Sequence, residues 1–325
     1  QLLIQLPIAF KHGFTWRPIL KISDPAIKKI TKLFIPRLFS LDSSYISLII
    51  ASMIGSILTS GSIAIFNLAN NLQAVPLGVF ALSTAVAAFP ALSESFAHKN
   101  TSEFNRLLSQ SIRQILFFII PISIIMLIFR AYIVRIILGS GNFDWEDTIL
   151  TFQTLGVFTF ALISQSLLPL LARAFYARHN TIIPTVTSLV SLGFNATLSY
   201  LLAEQYGIIG VAIGFTVANS LNCLLLFILL RFDISKDWEI PNTFDKEILT
   251  SVIKIITASV LMGLTGYILL QIVGPLVNTH TLIGIAIQAS TAGLGALGIY
   301  AVLAYAFGLP EAKYSLNYIF KLFAK

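Results

Sequence analysis

Asn67, Asn70 and Asn71 stand at i, i+3 and i+4, a spacing that gathers three carboxamides on one face of a helix, and Gln73 follows two residues later. Carboxamides neither titrate nor attack. Each offers two donors and an acceptor, so the chemistry within reach is the holding of polar groups rather than the making or breaking of bonds. Pro76 and Gly78 come next. The proline removes one backbone hydrogen bond and frees a carbonyl that a neighbour or water must meet, so a kink is expected there. Two readings stand: the amides line a polar cavity beside the kink, or they join helices in lipid, where each such bond averages about 0.6 kcal/mol. Groupings that would do covalent chemistry are not seen. His12, His98, His179 and His280 stand apart, and there is no Ser-His-Asp set, acid pair, phosphate loop or zinc spacing. The expectation is therefore no catalytic residue, no metal and no cofactor.

Arg37 and Asp42 lie in the apolar run ahead of these amides, with Ser40, Ser43, Ser44 and Tyr45. Ionisable groups at such depth are costly and mark function. Arg37 is about one turn beyond Lys32 and can either snorkel to the surface or face a cavity. Asp42, roughly 15 Å past Lys32 at the helical rise, is too short to snorkel and is read as pointing into a watery space. Ser191, Asn195 and Ser199 form a stripe on a later run, and Thr216, Asn219 and Asn222 another on the run after it. A tight turn joins these two runs, so the stripes are read as packing against each other. The last run carries Ala289, Ala292, Gly293 and Ala296, small residues that let helices approach closely.

The elements that must position these residues are membrane helices. The chain is 56% hydrophobic and 11% charged, with a mean hydropathy of +0.86. Soluble proteins average about 45–50% apolar and 25% charged. Uniform apolar runs of this length have to be helices, because lipid offers backbone groups no partner. Eight are read: Leu33–Leu58, Ser62–Pro90, Leu107–Leu138, Thr148–Leu171, Ile182–Leu202, Ile208–Leu230, Ile248–Val273 and Leu282–Phe307. Threaded in and out, they leave nineteen of the 21 Lys and Arg on one side, with Arg130 and Arg135 opposite. Basic loops stay cytoplasmic, so both ends of the segment are expected there. The +7 net charge then reflects loops facing an anionic leaflet, not nucleic-acid binding. Cys223, alone in an apolar run, reads as a packing residue.

The expected organisation is an upstream helix end over 1–10, a basic linker over 11–32 and a six-helix unit over 33–231. A charged linker over 232–247, a two-helix unit over 248–308 and an amphipathic tail over 309–325 follow. Gln1–Phe10 is too short to span a bilayer, which takes about 20 residues. It suggests the C-terminal part of a longer protein.

The segments Asn67-Leu68-Ala69-Asn70-Asn71-Leu72-Gln73, Pro76-Leu77-Gly78-Val79-Phe80 and Phe89-Pro90-Ala91-Leu92-Ser93 resemble the signature of the MurJ/MviN family of lipid II flippases, within the multidrug/oligosaccharidyl-lipid/polysaccharide exporter superfamily. Gly141-Asn142-Phe143-Asp144 with Glu146-Asp147-Thr148, then Arg173-Ala174-Phe175-Tyr176-Ala177 with Thr181 and Pro184, follow in the family's order, and Asp24-Pro25 fits ahead of them. The resemblance runs from about Asp24 to Arg231; the last two runs match by position and hydropathy only. It implies a bacterial inner-membrane transporter, not an enzyme, that carries a lipid-linked peptidoglycan precursor to the outer leaflet by alternating access. The eight helices would be the family's seventh to fourteenth. A six-helix N-terminal lobe would complete a cationic cavity, and the last two helices would form a groove for the polyprenyl tail. Arg173 and Arg178 would serve a cytoplasmic gate or touch lipid head groups. One departure stands out: Asn70-Asn71 replaces the family's usual Asp-Arg, so the charge that arginine brings is expected from Arg37 and the other lobe. The alternatives are another exporter of the superfamily, such as a polysaccharide-repeat flippase, and a non-transporting lipid-binding scaffold.

Overall fold

The structure is a computed structural model that describes residues 43–138, 145–237, 242–278 and 281–312, together with positions 10, 11, 25, 27 and 31. Arg37, Asp42, most of the expected linker over 11–32 and most of the expected tail lie outside the described residues. Among those described, every regular element is a helix. They are α1 (Ser43–Gly55), α2 (Ser62–Pro76), a π-helical turn (Leu77–Leu82), α3 (Ser83–Ala97), α4 (Thr101–Ile128), α5 (Arg130–Leu138), α6 (Trp145–Ala177), α7 (Ile182–Asp237), α8 (Asn242–Val273), a 3-10 turn (Gly274–Leu276) and α9 (Leu282–Ala306).

Six stretches among the described residues are long and apolar enough to cross a membrane, α2 to α3 counting as one. The fourth of them runs through α7, which is two limbs joined at Gly207 (φ 57°, ψ −138°). A left-handed backbone is nearly free for glycine alone, so one residue suffices to reverse the chain. This is tighter than the five-residue connector expected over 203–207. The expected first crossing is described only as α1, so eight crossings are not counted here. The apolar run 107–138 is not one straight helix: it breaks at Phe129, where Arg130 Nη1 donates to the Leu127 carbonyl at 3.0 Å. Beyond the break the run continues as α5. The expected linker over 232–247 is shorter than its charge suggested, since α7 continues to Asp237 and α8 starts at Asn242.

α6 occupies the centre, packed against α2, the π turn, α3, α4, α5 and α7. Phe66, Phe158 and Phe215 interlock edge to face at 5.1, 5.5 and 6.1 Å between ring centres, fixing α2, α6 and the second limb of α7. Such pairs add about 0.5–1.5 kcal/mol beyond the area they bury. The two limbs of α7 pack through the polar stripes and glycine. Ser191 Oγ donates to the Ala218 carbonyl at 2.7 Å, and Ser199 Oγ to the Val211 carbonyl at 3.3 Å. A Cβ on Gly214 would lie 2.3 Å from Ser199 Oγ. α8 and α9 pair with each other, α8 lying along α4 and α9 along α5.

The two hairpin turns at the basic end are built alike. Lys99 (φ 55°) and His179 (φ 58°) take left-handed backbones, and an asparagine follows each. Asn100 Oδ1 accepts from the Glu103 amide at 3.1 Å, and Asn180 Oδ1 from the Ile183 amide at 3.3 Å. Each asparagine side chain thus caps the helix it starts. Phe96 and His179, one beside each turn, meet edge to face at 6.0 Å.

Candidate functional site

The four predicted amides share a helix but not an environment. Asn67 and Asn71 are exposed, Asn70 is half-buried and Gln73 is buried at 1% exposure. The helical period explains the division. Phe66, Ala69, Gln73 and Pro76 form the face turned to α6, while Asn67 and Asn71, one turn apart, look outward. On the inner face the amides form a relay: Gln165 Nε2 on α6 donates to Gln73 Oε1 at 3.3 Å, and Gln73 Nε2 donates to Asn70 Oδ1 at 3.0 Å. Each bond satisfies a group whose isolation would cost about 1–3 kcal/mol. The interhelical reading therefore describes Gln73, while Asn67 and Asn71 face away from α6.

Gln165 was not among the expected site residues. Its signal was available: of the two glutamines in the run Thr148–Leu171, Gln153 and Gln165, it is the one that lies one turn before Pro169. That proline leaves the Gln165 carbonyl without its helical donor. The two prolines therefore stand close in sequence to the two glutamines that meet.

Below the amides the helix changes its period. From Leu77 to Leu82 it is π-helical, beginning immediately after Pro76 and including Gly78. Such turns are rare and concentrate at functional sites. Hydroxyls on the next turn accommodate the loosened carbonyls: Ser83 Oγ donates to the Val79 carbonyl, and Thr84 Oγ1 to that of Phe80 at 2.7 Å. Phe80 stacks on Phe118 of α4 at 4.7 Å, anchoring the turn. At the other end of α2, a depression of about 570 Å³ opens over the turn from α1, with Ser56, Thr59, Ser60, Ser62 and Asn67 in its lining. Asn67 thus joins the amide face to a hydroxyl-rich hollow.

Arg173 is half-buried and donates from Nη1 to the Pro169 carbonyl at 3.1 Å. Arg178 lies deeper, its side chain 2% exposed. Its Nε donates to Asp233 Oδ2 at 2.8 Å and its Nη2 to the Asp233 carbonyl at 2.7 Å, while the guanidinium lies 5.3 Å from the centre of the Phe96 ring. In this conformation Arg178 ties α6 to the end of α7 rather than presenting itself to the surface. Asp233 was expected only as part of a linker.

The fold and this face define a polytopic α-helical membrane protein with one amide-bearing, bent helix on its surface. The family model described as lipid II flippase MurJ matches residues 1–287, and the chain belongs to that family. It is 30% identical over 227 residues to a probable lipid II flippase MurJ of Vibrio cholerae, an alignment covering 70% of this chain and 43% of the relative. The chain therefore spans about half the length of the curated relatives it matches, or less. A solved structure titled lipid II flippase MurJ, inward closed conformation, superposes with a TM-score of 0.69 at 22% identity, over 94% of this chain and 59% of that one. An outward-facing multidrug-resistance MATE family transporter of the MOP superfamily shares the fold at a TM-score of 0.54 and 15% identity, over 91% of this chain and 68% of its own.

Proposed function

We propose that this chain is the C-terminal part of a flippase that moves lipid II from the inner to the outer leaflet of a bacterial inner membrane by alternating access. The observation that carries the reading is the family match over residues 1–287. The exposed amides of Asn67 and Asn71 on a membrane helix support it. A sugar-pyrophosphate head cannot enter hydrocarbon unpaired, so its carrier must offer polar groups in place of water. Amides serve sugar hydroxyls and phosphate oxygens alike, and hold them weakly enough to release them.

In this reading the substrate cavity is bounded by Arg37, Asp42, Asn67, Asn70, Asn71 and Gln73, with Pro76 and Gly78 setting the bend of its wall. A six-helix N-terminal lobe faces the cavity from the other side. Arg37 supplies charge where Asn71 brings none. Arg173 and Arg178 belong to the cytoplasmic gate, Arg178 by holding its helices together. α8 and α9 form the unit that receives the lipid tail, and both ends of the segment are cytoplasmic. The wider exporter reading shares this fold, but the family match extends into α9 and favours the peptidoglycan branch.

The test is movement of fluorescent lipid II in proteoliposomes carrying the full-length protein. Transfer that depends on the protein supports a flippase. Binding without transfer would leave a scaffold and sink the proposal. Full-length Arg37→Ala should slow transfer markedly, and an unchanged rate would remove Arg37 from the cavity.

A further inference from the structure

Arg113 of α4 stands between two carboxylates that belong to the α8–α9 pair. Its Nε is 3.5 Å from Glu311 Oε1, just past the end of α9, and its Nη1 is 3.7 Å from Glu247 Oε2, at the start of α8. The side chains of Arg113 and Glu311 are 16% and 7% exposed, so this pair sits largely out of water, whereas Glu247 is 55% exposed. Both separations exceed a normal charge-assisted hydrogen bond, so one cation holds two acids through charge rather than through a locked fork. Lys254 closes the pair upon itself, Nζ donating to the Phe307 carbonyl at the end of α9 at 2.9 Å.

The rest of the seam between α4 and this pair is built differently. One turn along from Arg113, Tyr300 OH donates to the Phe117 carbonyl at 2.7 Å. Towards the opposite end the contact is apolar and close: a Cβ on Gly263 would meet Ile124 Cγ2 at 2.6 Å, and one on Gly266 would meet Phe129 at 3.2 Å. Phe129, Leu270 and Ala292 bury one another there. Glycine contacts of this kind let helices rock without stripping hydrogen bonds. The charge pair, in contrast, either holds or does not.

We propose that Arg113 is a latch that keeps the α8–α9 unit closed on α4 at the basic end, with the glycine-packed contact at the other end as its pivot. Releasing the latch opens the seam as a wedge, wide at Glu247 and Glu311 and unchanged at Phe129. The device couples the two-helix unit to the six-helix unit whatever the substrate, so it stands or falls apart from the flippase reading.

The test uses the full chain in lipid nanodiscs, with Cys223→Ser as background, and spin-label distances across the seam at both ends. One pair is placed at Ser102 and Leu249, the other at Ile137 and Ile272, all exposed positions. Arg113→Gln should lengthen and broaden the first distribution and leave the second unchanged. Arg113→Lys, which keeps the charge, should return the closed distribution. If Arg113→Gln does not fold, Glu247→Gln and Glu311→Gln carry the same test, with the larger opening expected for buried Glu311. A first distribution that overlays the parent in these variants overturns the latch, and equal lengthening at both ends overturns the pivot.

Discussion

Replacing Arg178 by methionine tests whether the basic end is held by a buried ion pair. Methionine keeps much of the apolar stem but deletes both bonds to Asp233 and the contact with Phe96. The Asp233 carboxylate, 18% exposed, would then be left without its cation. Removing one partner of a buried pair costs about 3–5 kcal/mol, and the residual exposure of Asp233 places the expectation at the lower end, about 3 kcal/mol. That is on the order of a hundredfold in the unfolding equilibrium. Asp233→Asn should cost at least as much, about 3 kcal/mol or more, because it strands the guanidinium of Arg178, the more deeply buried partner at 2% exposure. Arg178→Met combined with Asp233→Leu should recover most of the loss, since an apolar pair leaves no charge stranded. Reversible unfolding in detergent micelles measures all three. An Arg178→Met protein within about 0.5 kcal/mol of the parent, a typical surface-site change, would refute the reasoning.

Gln73→Leu should destabilise by about 1–3 kcal/mol in the same unfolding measurement, because Asn70 and Gln165 both lose their partner. Asn71→Arg should tighten binding of a pyrophosphate-bearing lipid, since charge-assisted bonds are roughly twice as strong as neutral ones; titration of the full-length protein with lipid II would show weaker or equal binding if position 71 does not face the substrate. Gly214→Ala should force the limbs of α7 apart at Ser199 and lower stability by about 1–3 kcal/mol, the usual range for overpacking, read as a drop in the unfolding midpoint.

The helices were legible because lipid leaves a long apolar run one outcome. Agreement extends in part to contacts: Ser191 and Ser199 reach the second limb of α7 at the Ala218 and Val211 carbonyls, whereas Thr216 of the second stripe turns to the Val157 carbonyl of α6. Less legible were the places where length or handedness decides. The run 107–138 carries no glycine to announce its break at Phe129, and the charges over 232–247 look like linker although α7 and α8 run into them. The amide spacing located a face but could not divide it. Only the partner helix, through Gln165, separates a buried amide from its outward neighbours. Arg178 directly follows the segment Arg173–Ala177 that carries the resemblance, and its partner Asp233 is 55 residues away, a pairing that spacing alone does not reveal.

The wider coil after Pro76 has a consequence for how α2 and α3 divide their labour. A segment that takes up an additional residue within one turn turns everything beneath it relative to everything above. The hollow beside Asn67 and the stretch towards Pro90 consequently need not obey a single stripe. Shortening this coil by one position, at Val79, would restore the α-helical period and swing the lower portion by about 100°, the angle one residue subtends. A helix with a spare residue at its waist can be retuned at one extremity while the other keeps its grip.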